Sequence, residues 1–389
     1  MYKQTSESHL YAALGASSSK DGVHKALGGL TSGGFFAEVR DDVAGDPSYY
    51  SLLHADGAGT KAIVAYLAFR ETGSTSWFKS LAIDSLVMNL DDVACVGSFE
   101  SLLLSNTIGR NRTLVPDEAV GEIIAGYKEF AERLSSLGIG VSLAGGETAD
   151  MGDVIRTIVI DSTMFGRVKR SSAINTHSIQ DGDTIVGLSN SGQASYEDSA
   201  NSSIGSNGFT LARHALIEKS YAEKYPEILD PAIAAQQAYR GKQKLFDSPS
   251  PLKETIASAL LSPTRTYAPV IKSALKELQS EVHGIIHCSG GGQSKALRFG
   301  NKKRFVKDNF FPIPPVFELI QNNLDVPWRE MYTVFNMGHR MEVIVPKDRA
   351  KAVVDVASSF GIEGKIVGYI EDAVANSVVL KTPHGTFEY

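Results

Sequence analysis

Two short stretches of this 389-residue chain concentrate residues capable of chemistry. His54 to Ala62, HADGAGTKA, sets Asp56, Gly57, Gly59, Thr60 and Lys61 directly after the apolar pair Leu52-Leu53. Glycines let a backbone approach a ligand and turn its N–H groups toward an anion, and a lysine beside them adds a point charge. Asp56 offers a hard oxygen to a divalent cation. The run fails the phosphate-loop pattern GxxxxGK[ST] and lacks the third glycine of a dinucleotide fingerprint. It suits neither helix nor strand, so it reads as a loop. A surface turn with a solvated Asp and Lys accounts for the same composition.

The second stretch, Phe78 to Val96, is apolar all round and reads as a buried helix. Asp84 and Asp91 share a face of it, and Asp92 sits about 100° round from Asp91. Ionised carboxylates on a buried helix need cations or a metal. Salt bridges to Lys or Arg would meet that need, but three acids on one apolar helix favour coordination. AGGETAD (144–150) puts Gly145, Gly146 and Glu147 at a strand end, where α/β sheets gather ligands. Glu147 and Asp150 equally suit a helix N-terminus. Gly290, Gly291 and Gly292 follow an apolar strand and suggest close approach to a phosphate or sugar. His283 and His287 alternate as in a strand, which rules out a helical metal pair. Cys288 has no thiolate-stabilising neighbour in sequence and reads as a buried thiol.

The elements that must position these groups come in two sets. Strand 101–106, a helix from Pro116-Asp117 to a stop at Gly138, and strand 139–146 form a strand–helix–strand unit, with a further strand in 154–168. Polar residues 169–183 mark a boundary between a domain of residues 1–170 and one of residues 171–389. The second contains strand 184–189, a helix from Phe209, a polar insertion with short helices (218–256), helix 267–278, strand 282–287, strand 341–345, helix 348–360 and strand 365–370. Residues 1–50 read as flexible loops at the entrance to the fold. The expected class is α/β (α+β) in two mixed domains.

Composition narrows the partners. Hydrophobic residues make up 43% and charged residues 21%, as in folded soluble proteins. A net charge of −6 gives no electrostatic footprint for nucleic acid or an anionic membrane. With two cysteines, no signal-like apolar core in MYKQTSESHL, and Asp84, Asp91 and Asp92 interrupting the most apolar run, the expectation is a cytoplasmic protein that spans no membrane.

Seven motifs in order along the chain resemble the AIR synthase family. They are DGAGTK (56–61), Ile83-Asp84 with Asp91-Asp92, GGETADMGD (145–153), GSNGFTLAR (205–213), LLSPTRTY (260–267), HCSGGG (287–292) and EMYTVFNMGHRM (330–341). Lys20, in SKDGV, matches the family's N-terminal loop. The resemblance implies an N-terminal mixed sheet closing into a barrel shared across a homodimer, and a C-terminal α/β sandwich. It further implies ATP- and Mg²⁺-dependent ring closure of formylglycinamidine ribonucleotide. By that resemblance Asp56, Asp92 and Glu147 hold Mg²⁺. Gly57, Gly59, Thr60, Lys61, Gly145, Gly146, Asn207, Gly290, Gly291 and Gly292 bind the nucleotide with Asp56 and Glu147. Lys20, Lys61 and Asp92 are catalytic. The chain departs from the family at Gly205, which replaces a histidine, at a lengthened 192–204 loop, at Phe99, at Asp91 and at Gln293. The alternatives are another ATP-dependent member of the superfamily and a non-catalytic nucleotide-binding paralogue.

Overall fold

The computed structural model describes residues 10–16, 26 and 33–389, which build two β-sheets and a short two-stranded ribbon. The first sheet contains β1 (Val39–Asp41), β2 (Tyr49–Gly57), β3 (Leu102–Arg110), β4 (Val141–Asp150) and β5 (Ile158–Lys169), in the order β1-β2-β5-β3-β4. β3 and β4 are parallel and the other pairings antiparallel. The parallel pair needs a crossover. The Asp117–Ser136 helix supplies it, with Ile123, Tyr127, Phe130 and Leu134 buried at helical spacing. Alternation along β5, and along β3 as far as Ile108, turns Leu102, Leu104, Ile160 and Met164 inward against helices Lys61–Thr72 and Ser80–Ala94. Leu103 and Thr107 face outward.

The ribbon pairs β7 (Ser191–Gly192) with β8 (Asn201–Ser202). The second sheet takes β6 (Thr184–Ser189), β9 (Gly284–His287), β10 (Lys303–Lys307), β11 (His339–Val345), β12 (Gly364–Asp372), β13 (Ser377–Thr382) and β14 (Gly385–Glu388), in the order β14-β13-β10-β12-β6-β11-β9. β6, β9 and β11 are buried along their whole length, so they do not alternate, and β11 carries His339, Arg340 and Glu342 inside beside its apolar residues.

Three sequence expectations need correction. HADGAGTKA is not a loop: His54–Gly57 ends β2 and Lys61 begins a twelve-residue helix, leaving only Ala58–Thr60 as the turn. Pairing with β5 overrides the weak strand propensity of the glycine-rich run. Nor are all the described residues before 50 loop, since Val39–Asp41 pairs with β2 and Leu10–Ala13 is helical. The strand candidate at 154–168 begins only at Ile158. The 218–256 insertion carries the short helix Ser220–Lys224 and a 3-10 turn, as its composition suggests.

Candidate active site

The turn at the end of β2 is fixed by sterics. Ala58 N–H donates to Ile160 O at 2.9 Å, and a Cβ on Gly57 would stand 1.8 Å from Asp161 Oδ1. Only glycine fits there. Gly59 takes φ +55°, and Thr60 Oγ1 lies 3.3 Å from Thr210 Oγ1 of the second domain.

Lys61 does not project into the turn. Its ammonium is wholly buried and donates to Asp84 Oδ1 (2.7 Å), Ser262 O (2.6 Å) and Gly205 O (3.2 Å). Burial pushes its pKa down, and the Asp84 charge opposes that fall. Asp84 Oδ1 also accepts from Thr264 N and Thr264 Oγ1, at 2.9 and 2.5 Å. Asp91 accepts from Thr266 Oγ1 (2.7 Å), Tyr267 N (3.0 Å) and Arg340 (3.3 Å). Two of the three acids on the buried helix are therefore neutralised by lysine and arginine, not arranged for a metal. The cations lie far off in sequence, which is why periodicity alone could not supply them.

Asp92 is held differently. Its Oδ1 faces His287 Nδ1 at 2.6 Å, and its Oδ2 faces His54 Nε2 at 3.2 Å. His54 Nδ1 lies 2.9 Å from Asn89 Oδ1. The Asn89 amide can be oriented because its Nδ2 meets Asp56 O, Ser85 O and Ser162 O at 3.1–3.2 Å. Both ring nitrogens of His54 thus face acceptors, and the ring is an imidazolium. Burial works against that charge, but Asp92 and Asn89 outweigh it and hold the His54 pKa up at about 9. Burial likewise opposes ionisation of Asp92, and the two imidazoles more than reverse it. His287 Nε2 is buried with no hydrogen-bond partner among the described residues. Asp56 is raised by desolvation and by the Asp92 charge.

These groups open onto a cleft of about 430 Å³ between the domains. His54, Asp56 and Asp92 line it from the first domain; Asn207, Ser289, Gly290, Gly291, Lys295 and Arg298 line it from the second. Tyr11 also reaches it, and its segment is tied down where Leu10 and Tyr11 N–H donate to the Glu330 carboxylate. Gly292 sits behind the lining: a Cβ there would lie 2.5 Å from Phe335 O and 2.6 Å from Tyr332 O. Gln293 anchors the turn from the rear, its amide donating to Asn336 O (2.5 Å) and His339 O (3.0 Å).

Glu147 does not join Asp56 and Asp92 within one chain. In register, Gly57, Asp161, Thr107 and Glu147 form one row across four strands. That puts Glu147 roughly 14 Å from the end of β2, on the outward face. Gly145 and Gly146 share the exposed β4 edge with it. Lys20 lies outside the described residues. Sequence reasoning missed His54, Lys295 and Arg298, and placed His287 in the HCSGGG motif and in a rejected metal pair without giving it a role. His54 stood inside the quoted motif, and Lys295 and Arg298 follow the triple glycine by a few residues. The rejection of Cys288 as nucleophile agrees with a fully buried thiol whose pKa burial raises. Another converging donor set, Cys288, His339 and Glu342, is also buried, but Lys307 Nζ stands 2.5 Å from Glu342 and already supplies the cation.

Fold and cleft define a two-domain α/β protein with glycine turns, carboxylates and cations meeting between its domains. Residues 41–168 match the family model "AIR synthase related protein, N-terminal domain" and residues 180–381 match "AIR synthase related protein, C-terminal domain". The chain belongs to this family. A phosphoribosylformylglycinamidine cyclo-ligase of Methanococcus vannielii is 31% identical over 327 residues, 84% of this chain and 79% of the relative. Among solved structures, a thiamine monophosphate kinase from Aquifex aeolicus superposes with TM-score 0.53 at 13% identity, covering 94% of this chain and 96% of that one. T. maritima PurL complexed with FGAR superposes with TM-score 0.50 at 13% identity over 91% of this chain, which spans 46% of that longer one. The two structural likenesses speak to the fold alone.

Proposed function

We infer that this chain is a phosphoribosylformylglycinamidine cyclo-ligase. It uses ATP to close the imidazole ring of formylglycinamidine ribonucleotide, releasing aminoimidazole ribonucleotide, ADP and phosphate. The observation that carries this reading is the convergence of Asp56, Asp92 and the Gly290–Gly291 turn on one interdomain cleft. It is joined by the match of both domains to the family and the cyclo-ligase name of the relative.

The chemistry asks for three things. The formyl oxygen must become a leaving group, which phosphoryl transfer from ATP achieves. An amidine-side nitrogen then attacks that carbon, the C–N bond forms, and the C–O bond breaks with its electron pair leaving on phosphate. The attacking nitrogen must also shed a proton, and we assign Asp56 as its acceptor, because burial and the Asp92 charge raise its basicity. Asp92 positions the imidazolium of His54. Lys61 is a positioning residue, holding Gly205 and Ser262 against the acidic helix. Lys20 stays a proposal for a catalytic residue on a loop that closes over the site, and Gly57, Gly59, Thr60, Gly145 and Gly146 stay nucleotide-binding proposals.

The Mg²⁺ set of Asp56, Asp92 and Glu147 does not fit one chain, since Glu147 is on the far strand and both Asp92 oxygens are engaged. We further propose a homodimer in the cytoplasm, supported by a β4 edge that no other described strand pairs; no helix among the described residues is long and apolar enough to cross a membrane.

The test is product analysis by chromatography and mass spectrometry with purified protein, ATP and formylglycinamidine ribonucleotide. Stoichiometric aminoimidazole ribonucleotide and ADP are expected. ATP hydrolysis without the aminoimidazole would sink the assignment.

A further inference from the structure

Gln293 stands at one of the chain's departures from the family pattern, directly after the triple glycine. Its amide is fully engaged. Nε2 donates to Asn336 O (2.5 Å) and His339 O (3.0 Å), and Oε1 accepts from Lys307 Nζ (3.2 Å). Two carbonyls on one side and an ammonium on the other fix which end of the amide is which. Lys307 Nζ also donates to Gln293 O at 2.8 Å, so one cation holds both the side chain and the main chain of this residue. Lys307 is held in its turn. Glu342 Oε1 stands 2.5 Å from Lys307 Nζ and 2.9 Å from His339 Nε2, and none of these side chains reaches solvent. Burial opposes ionisation of Glu342, but Lys307 and His339 outweigh it and keep the pKa down at about 2. Glu342 Oε2 has no hydrogen-bond partner among the described residues, so the carboxylate depends on those two donors.

Gln293 lies where separate segments of the second domain's cleft wall meet. Gly290 and Gly291 precede it, and Lys295 follows it on the short helix Gly292–Arg298. Asn336, which takes one Gln293 N–H, donates through Nδ2 to Ser203 O at 2.8 Å. Ser203 heads the 203–208 loop, which brings Asn207 and Gly208 to the cleft. Phe335 is wedged between the two segments. A Cβ on Gly208 would stand 2.5 Å from its ring, and a Cβ on Gly292 would stand 2.5 Å from its carbonyl oxygen. The Gly290–Gly291 backbone has little support of its own. A Cβ on Gly290 would meet nothing closer than Asn207 Nδ2 at 3.8 Å, and Gly291 takes φ +102°. Glycines this free need an external anchor to keep one conformation.

We propose that Gln293, locked by Lys307 and Glu342, is the positioning residue that sets the Gly290–Gly291 turn and the 203–208 loop in register with each other. It is buried behind the cleft and does not line it, so it acts through Asn336 and the backbone of the turn. Gln293→Leu would fill the space but leave Asn336 O and His339 O without a donor. Gln293→Glu would set an oxygen against those carbonyls. The coupling stands on the geometry alone, and only its kinetic consequence rests on the cyclo-ligase reading.

Hydrogen exchange of the free protein, read by mass spectrometry, tests the coupling. In Gln293→Leu the amides of 289–294 and of 203–208 are expected to exchange faster together, by roughly tenfold, the effect of about one net hydrogen bond. The Asp117–Ser136 helix should keep its wild-type rate. Lys307→Met alone would strand the Glu342 charge and destabilise the whole fold; combining it with Glu342→Gln removes both charges. That double variant is expected to keep the wild-type urea midpoint and still show the faster exchange in both segments. Faster exchange confined to 289–294, or spread over the whole chain, would overturn the proposal. In turnover with each substrate varied in turn, Gln293→Leu is expected to raise KM for ATP or for the ribonucleotide roughly tenfold with little change in kcat, since a displaced wall weakens ground state and transition state alike. An unchanged KM for both would also overturn it. The two readings fail separately. Coupled exchange in a protein that forms no aminoimidazole refutes only the cyclo-ligase reading, and aminoimidazole formed by a protein with uncoupled exchange refutes only the positioning role.

Discussion

Lys61 shows how far a side chain's surroundings decide its work. A lysine after two glycines reads as a phosphate ligand, yet this one neutralises Asp84 with no exposure to solvent. Lys61→Met would leave a buried carboxylate without its cation, a loss of roughly 3–5 kcal/mol. Urea denaturation should show it, and adding Asp84→Asn should restore part of the stability. A variant of unchanged stability whose KM for ATP alone has risen would mean that the lysine reaches phosphate after all. His214 offers a second residue-scale expectation. Its Nδ1 accepts Tyr239 N–H at 2.8 Å, and burial together with Arg213 depresses its pKa from 6.5 to about 3. The folded state therefore binds fewer protons than the unfolded state between those values. The contribution is fully present above pH 6.5 and is lost as pH falls toward 3. Stability should decline by up to about 1.4 kcal/mol per pH unit in that window from this group alone. Denaturation midpoints measured from pH 7 to 5 should fall less steeply in His214→Gln; identical slopes would remove His214 from the account.

At the scale of elements, β4 is the exposed problem. Among the described residues it pairs only with β3, and its residues from Ser142 to Thr148 are open to solvent. Beside it the outward face of the sheet carries Leu53 (69% exposed) and Leu103 (44%), each opposite Phe165 in register. An unpaired edge with a flanking apolar row is a liability unless something covers it. A second copy of the chain fits the family expectation and would also bring another Glu147 near the first sheet. Sedimentation should show a dimer at micromolar concentration, and Leu103→Asp should shift it to monomer with the fold retained. A wild-type monomer would leave the edge unexplained and Glu147 remote from the cleft.

Across the whole molecule, the acidic helix is the joint between the domains. Asp84 is bonded by Thr264, Asp91 by Thr266, Tyr267 and Arg340, and Asp92 by His287, so each of the three carboxylates of this helix has a partner in the second domain. Separating the domains would expose three carboxylates' worth of unmet donors and the apolar surface around them. The two domains should therefore unfold in one transition, with calorimetric and van't Hoff enthalpies in agreement. Arg340→Met, which leaves Asp91 short of its cation, should lower the midpoint sharply. Two resolved transitions in the wild-type protein would show that the joint does not couple them.

What residue order determined by itself is whatever depends on neighbours in sequence. The Asp117–Ser136 helix declares itself through Ile123, Tyr127, Phe130 and Leu134, and Gly138 ends it with φ +77°. The burial of the Ser80–Ala94 helix follows from apolar residues spaced all round its circumference, between its acids. Motif order along the chain was enough for the family. The partners of each charge were decided only in three dimensions. Lys61 meets Asp84 across 23 positions, Arg340 meets Asp91 across 249, and His287 meets Asp92 across 195. A buried carboxylate states in sequence that it needs a positive partner, but not which one. Electrostatic pairing acts through space over a few ångströms, and the sheets that bring those residues together are set by packing of the entire chain.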